Sequence, residues 1–210
     1  IRHERPNCQI IALSATVGNS DSVANWLKAD LVKSEWRPVE LQTGTVNGLD
    51  LKIHRIDGMA ERDLPPPREI SGNPNQNLRA LVLDTINTGG QTLIFVNSRA
   101  SAQKEARELS KHIRRISQRQ ENENIKSKLD NWGDISKSIG SVSEGTTMGK
   151  ALAESVSKGV GFHHAGLSSR QRKIVEDSFR NGDLAALVAT PTLAQGVNLP
   201  SRRVVIRDYR

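Results

Sequence analysis

A chain of 210 residues, 36% hydrophobic and 25% charged, has enough apolar material for a packed core, which excludes a disordered chain. No apolar run is long enough to span a bilayer, the first residues lack a signal-peptide core, and the lone Cys8 excludes a disulfide framework or a cysteine zinc site, so the reducing cytoplasm is the expected compartment. A net charge of +7 favours an anionic partner, nucleic acid first, and 3% aromatic residues exclude a broad base-stacking platform, so phosphate contacts should carry any such binding.

Along the chain, "CQIIALSAT" is a short apolar run over residues 10–13 that reads as a strand closing on Ser14 and Thr16. "DSVANWLKAD" predicts a short helix with Asp21 as N-cap and Val23, Trp26 and Leu27 on one face. "EWRPVELQTG" and "LDLKIHRIDG" read as extended, and "LPPPRE" as a rigid loop or linker, because proline has no N–H to donate. From Asn75 the rhythm is regular. Leu78, Leu81, Val82 and Ile86 fall at helical spacing and Gly89-Gly90 closes that helix. "TLIFV" is a strand buried on both faces.

A long helix follows, with Ala102, Ala106, Leu109, Ile113 and Ile116 as its apolar stripe and Lys104, Arg107, Lys111, Arg114 and Arg115 crowding the rest. Residues 121–147, polar and weakly patterned, read as an irregular insertion. "KALAESVSKG" predicts a helix and "GVGFH" a strand. "SSRQRKIVEDSFRNGD" predicts a helix opened by a Ser168/Gln171 capping box, with Ile174, Val175 and Phe179 inward. "LAALVAT" and "RVVIRD" are the last strands. Alternating helices and apolar strands imply an α/β fold with a mostly parallel sheet.

In such sheets functional residues gather at the carboxyl ends of the strands. Four strand ends carry polar sequence of that kind: "SAT", "NSR", "HHAG" and "TPTLAQGVNLP". Their hydroxyls, small residues, helix N-termini and nearby cations suit phosphate oxygens, not a nucleophile with its base. The bland reading is that Ser14, Thr16, Asn97 and Ser98 only cap helices. His163 and His164 are adjacent, so in a strand they point to opposite faces and cannot clamp one metal together; no metal site is expected. "GTTMGKA" is not a P-loop: three residues separate its glycines, Ala151 replaces the hydroxyl, and no apolar strand precedes it.

The segments "LSATVGNSDSVANWLKADLVKSEWRPVELQTG", "TLIFVNSRASAQKEARELS" and "GVGFHHAGLSSRQRKIVEDSFRNGDLAALVATPTLAQGVNLPSRRVVIRD" strongly resemble the Ski2-like superfamily 2 helicases, nearest to the archaeal Hel308 DNA repair branch. The resemblance covers most of the chain outside 121–150. It implies a RecA-like second helicase domain over 75–210, truncated before motif VI, with residues 1–57 as the tail of a first RecA-like domain plus connector and 58–74 as a proline-rich linker. "SAT" resembles motif III, "LIFVNSR" motif IV, "FHHAGL" motif IVa and "VATPTLAQGVNLP" motif V. By that match Ser14 and Thr16 couple nucleotide state to domain movement. Ser98, Arg99, His164, Gly166, Thr190 and Thr192 hold a nucleic-acid backbone. Gly196 and Asn198 face ATP, with Asn198 standing where DEAD-box helicases carry Asp.

The resemblance implies a fragment of an ATP- and Mg²⁺-dependent 3′-to-5′ DNA helicase acting on single-stranded or forked DNA, inactive alone because the Walker A, Walker B and motif VI elements would lie outside it. An RNA helicase fragment is the nearest alternative. Further readings are a non-catalytic module docking a partner through the long basic helix and, with little support, a small-molecule α/β enzyme.

Overall fold

In a computed structural model the chain is described over residues 10–14, 17–34, 39–118, 123–143, 145–195 and 199–208. It divides into two compact units, Ile1–Leu41 and Gln42–Arg210.

The first unit carries one helix, α1 (Ser20–Leu27). It starts two residues earlier than the sequence suggests, with Asn19 at the cap position and no side-chain cap bond. Asp21 therefore lies in the first turn, where a carboxylate suits the helix dipole, and pairs with Lys33 at 2.7 Å. Val23 and Leu27 are half-buried, whereas Trp26 is 80% exposed. The expected strand over residues 10–13 does not form. These residues join no ladder, and Leu13 is 92% exposed. An apolar run becomes a strand only when a neighbour takes up its backbone groups, and no described segment does so here.

The second unit holds two sheets. The smaller is antiparallel, in the order β1 (Gln42–Asn47), β2 (Asp50–Ile56) and β3 (Arg68–Glu69). Asn47 and Gly48 open the hairpin turn, Gly48 with a φ of +58° that suits glycine. The prolines of "LPPPRE" lead directly into β3, an edge strand, where their missing N–H costs no ladder bond. Val46, Leu49 and Leu51 pack with Ile70 onto Ala80 and Leu81 of helix α2 (Asn77–Asn87). Arg68 grips Asp84 of α2 with two hydrogen bonds of 2.9 and 2.7 Å.

The larger sheet is wholly parallel, in the order β5-β6-β4-β7, with β4 at Thr92–Phe95, β5 at Val160–His163, β6 at Ala186–Ala189 and β7 at Arg203–Ile206. Helices α3 (Arg99–Gln118), α6 (Thr147–Val156) and α7 (Ser169–Arg180) flank it, giving the expected RecA-like α/β layering. β6 is central and buried at every position, as expected for a strand packed on both faces. The capping box of α7 forms as its sequence predicts, Ser168 accepting from the Gln171 N–H and Gln171 accepting from the Ser168 N–H.

The stretch expected to be irregular is helical instead: α4 (Glu123–Lys126) is followed by α5 (Leu129–Val142). Trp132, Ile135 and Ile139 recur at helical spacing and are buried. Gly133, Gly140 and three serines dilute that signal in the sequence, and tertiary packing overrides their weak helix propensity. Trp132 anchors the helix beside Gly159, where a Cβ would lie 2.3 Å from the indole, and donates its Nε1–H to the Asp183 carbonyl at 2.6 Å.

Candidate nucleic-acid interface

Because the four strands of the larger sheet run the same way, their carboxyl ends share one edge. β4 delivers Asn97, Ser98 and Arg99; β5 delivers His163, His164 and Gly166; β6 delivers Thr190 and Thr192; and β7 delivers Asp208. The backbone joins these loops: the Thr190 N–H donates to the His163 carbonyl at 3.2 Å and the Asn97 N–H donates to Asp208 at 3.2 Å.

Ser98 sits at the entry of α3. Its Oγ accepts the Ser101 N–H at 3.1 Å and its own hydrogen goes to the Ser101 hydroxyl at 2.8 Å. It is exposed, as is Arg99, which opens the helix with no acidic residue in the first turn to offset it. A guanidinium at the positive end of a helix dipole is unfavourable by about 0.3–1 kcal/mol when nothing negative is near. Asp208, on the Asn97 N–H, is the carboxylate at this helix entry, and an anion arriving at the edge meets both the Arg99 cation and the dipole.

His164 is fully buried. Its ring stacks on Phe162 with centroids 5.5 Å apart, Nδ1 accepts the Gly166 N–H at 3.0 Å, and Nε2 lies 3.2 Å from the side-chain amide of Gln103 on α3. With Nδ1 committed as an acceptor, the neutral ring carries its proton on Nε2, and a hydrogen bond there requires the Gln103 amide to turn its oxygen, in place of its nitrogen, toward the ring. Burial pushes the His164 imidazole below its usual range, and the nearby Arg99 charge adds to that. Gly166 is exposed but crowded on its inner side, since a Cβ there would meet the His164 ring at 3.0 Å. The pair thus shapes the loop: His164 has no face toward solvent, and the Gly166 N–H is already occupied.

His163 points the other way, to α7, where Nε2 meets Glu176 at 2.7 Å. Desolvation lowers its pKa more than Glu176 raises it, and Nδ1 is buried without a partner. The two histidines therefore lie on opposite faces, as their adjacency in a strand requires. Thr190 is buried and its hydroxyl meets that of Thr192 at 3.0 Å, while Thr192, in the 3-10 turn Pro191–Gln195, is exposed.

Ser14 lies exposed in the first unit, while Thr16, Gly196 and Asn198 lie outside the described residues. Gln103 was missed by sequence reasoning. Its one signal is its place one turn beyond Arg99, at the margin of the apolar stripe. "GTTMGKA" opens α6: Thr146 caps it by accepting the Gly149 N–H at 3.2 Å, and helix α5 precedes it rather than a strand.

Residues 136–209 match the family described as helicase conserved C-terminal domain. The chain is 41% identical over 97% of its length to the ATP-dependent DNA helicase Hel308 of Methanococcus vannielii, and 40% identical over all of it to that of Methanocella arvoryzae. The Hel308 of Pyrobaculum calidifontis is 39% identical, again over the whole chain. The chain spans about a quarter of the length of these curated relatives, 26% for the first two and 27% for the third. With the parallel sheet and its flanking helices, this likeness along the full sequence shows that the chain belongs to the Hel308-like family of helicases.

Proposed function

We propose that the chain is the strand-gripping part of an ATP-dependent DNA helicase of 3′-to-5′ polarity, acting in repair on single-stranded or forked DNA. The observation that carries this reading is the exposed edge where Ser98, Arg99 and Thr192 surround a loop held by the His164–Gly166 bond. Arg99 supplies charge, the Thr192 hydroxyl and the first amides of α3 supply donors, and none of these reads a base. A grip of that kind is blind to sequence and easily released, which suits a motor that steps along a strand. Thr190 orients Thr192, and His164 holds the turn through Gly166 rather than by touching the strand. The DNA preference rests on the names of the relatives.

ATP and Mg²⁺ enter this reading through the family, with Gly196 and Asn198 as the residues proposed to face the nucleotide and Ser14 and Thr16 as those proposed to couple its state to movement.

The test is fluorescence anisotropy of the 210-residue chain with a single-stranded oligodeoxythymidine across a salt series, beside the Arg99→Gln and Thr192→Val variants. The expected result is weak binding that falls with salt, a several-fold loss for Arg99→Gln, and a log–log slope smaller by about 0.7, the value for one phosphate contact on a single strand. Binding indifferent to salt, or untouched by both substitutions, overturns the reading.

A further inference from the structure

We propose that the outward stripe of α3 is a second nucleic-acid surface, a track for the phosphodiester backbone that continues the grip at the carboxyl edge; this rests on the function proposed above. The 20-residue helix is about 30 Å long at roughly 1.5 Å per residue. Ala102, Ala106, Leu109 and Ile113 line its buried face. Lys104, Arg107, Lys111, Arg114 and Arg115 are all exposed, and their spacing places them in one row on the opposite face. The row begins five residues after Arg99 and runs about 16 Å along the axis.

Two acidic residues belong to the same helix, and between them they leave three of the five row cations without an ion pair. Glu105 turns aside to Arg207 at 3.1 Å and is only 14% exposed. Glu108 is already shared among Lys111 at 3.0 Å, Arg79 at 3.5 Å and Arg107 at 3.8 Å. Lys104, Arg114 and Arg115 make no ion pair among the described residues. On the other helices some exposed cations also stand without an ion pair among the described residues, Lys150 on α6 and Arg170 and Lys173 on α7, and others are paired. Lys137 pairs with Asp134 at 3.0 Å on α5, Lys158 with Glu154 at 2.8 Å just after α6, and Arg180 with Asp177 at 2.6 Å on α7.

The chemistry of the row selects phosphate over an acidic protein. Protein interfaces gain most of their affinity from buried aromatic or aliphatic anchors. None of the exposed large hydrophobic residues lies on α3. The row offers only long, flexible cations at intervals of three and four residues, which serve a repeating anion. It also starts beside the edge proposed to hold the strand, so a strand leaving that edge runs onto the row without a gap.

Oligodeoxythymidines of about six and about eighteen nucleotides, titrated against the chain across a salt series, test this. The variant Lys104→Gln/Arg114→Gln/Arg115→Gln removes three row charges and keeps good helix formers. The control Lys52→Gln/Lys137→Gln/Arg180→Gln removes three from other faces. The row variant should bind the longer oligomer about tenfold more weakly at low salt, with a log–log slope reduced by about 2. It should bind the six-mer as the unaltered chain does. An unchanged slope and affinity for the longer oligomer, or an equal loss in the control, overturns the track. So does a row variant that loses binding to polyglutamate while keeping DNA, because the row then serves an acidic protein. Arg99→Gln separates the two proposals: if it spares both oligomers while the row variant weakens the longer one, the edge grip fails and the track stands.

Discussion

At the amino-terminal edge of the parallel sheet, polar side chains turn inward. Gln91 donates to the Phe179 and Leu184 carbonyls at 2.9 and 2.7 Å, Trp132 donates to Asp183, and Arg203 donates to the Leu81 carbonyl, Asp84 and Thr85 at 3.0, 3.0 and 2.6 Å. At the carboxyl-terminal edge, Ser98, Arg99 and Thr192 stay exposed, and the inward-facing His164 holds a loop rather than joining two distant elements. One edge closes the fold on itself. The other is held in shape from behind and left open in front. Residue type does not separate these uses, since both edges employ arginine and side-chain amides. What separates them is whether each donor already has an acceptor within the chain.

Substitutions at the closed edge should therefore cost stability and spare binding by the folded chain. The largest effect is expected from Trp132→Ala, a loss of about 3–5 kcal/mol in urea unfolding, from the cavity and the lost bond to Asp183. A value below 1 kcal/mol would show that α5 is not anchored there. Asp84→Asn comes next, at about 2 kcal/mol, because it leaves Arg68 and Arg203 facing each other with one charge removed. Arg68, then Arg203, hold the Asp84 carboxyl below its ordinary range. Its stabilising contribution is thus complete above the unfolded value near 3.8 and is lost as pH falls through the lower folded value. Unfolding followed between pH 5 and pH 2 should lose that part of its slope in the variant.

The smallest effect tests the loop behind the open edge. His164 is depressed by burial and by Arg99, so the unfolded chain takes up its proton first as pH falls below about 6.5. Stability should decline from that point downward, and His164→Asn should reduce the decline without abolishing it, because His163 is depressed as well. Groups facing the ring are Gln103 and Arg99 from α3 and Phe162 from β5. An unaltered pH profile in the variant would mean that the ring titrates freely, contrary to its burial.

The closed parts of the fold were the more legible in the sequence. "TLIFV" and "LAALVAT" announced buried strands because every position but one threonine in each is apolar, and Ser168 and Gln171 announced the start of α7 because both halves of the capping box are local. Local signals failed where a partner decides the outcome. Residues 10–13 have the apolarity of a strand but no described neighbour, and α5 draws its helicity from packing around Trp132. At the open edge, Ser98, Arg99, Thr190 and Thr192 were readable as strand-end residues. The burial of the two adjacent histidines on opposite faces was readable too, but their partners were not, since nothing in "FHHAGL" names Gln103 or Glu176. Gln103 was invisible for the same reason: its meaning lies in a residue 61 positions away.

Arg203 has one consequence for how the unit assembles. Its guanidinium reaches back 122 positions to the Leu81 carbonyl and fastens the last strand to the first helix of the sheet domain. Contacts of such long separation form late, after the entropy of closing the intervening loop has been met. α2 and β7 should therefore order together near the end of folding and open together first, and their amide hydrogens should exchange as a single cooperative group.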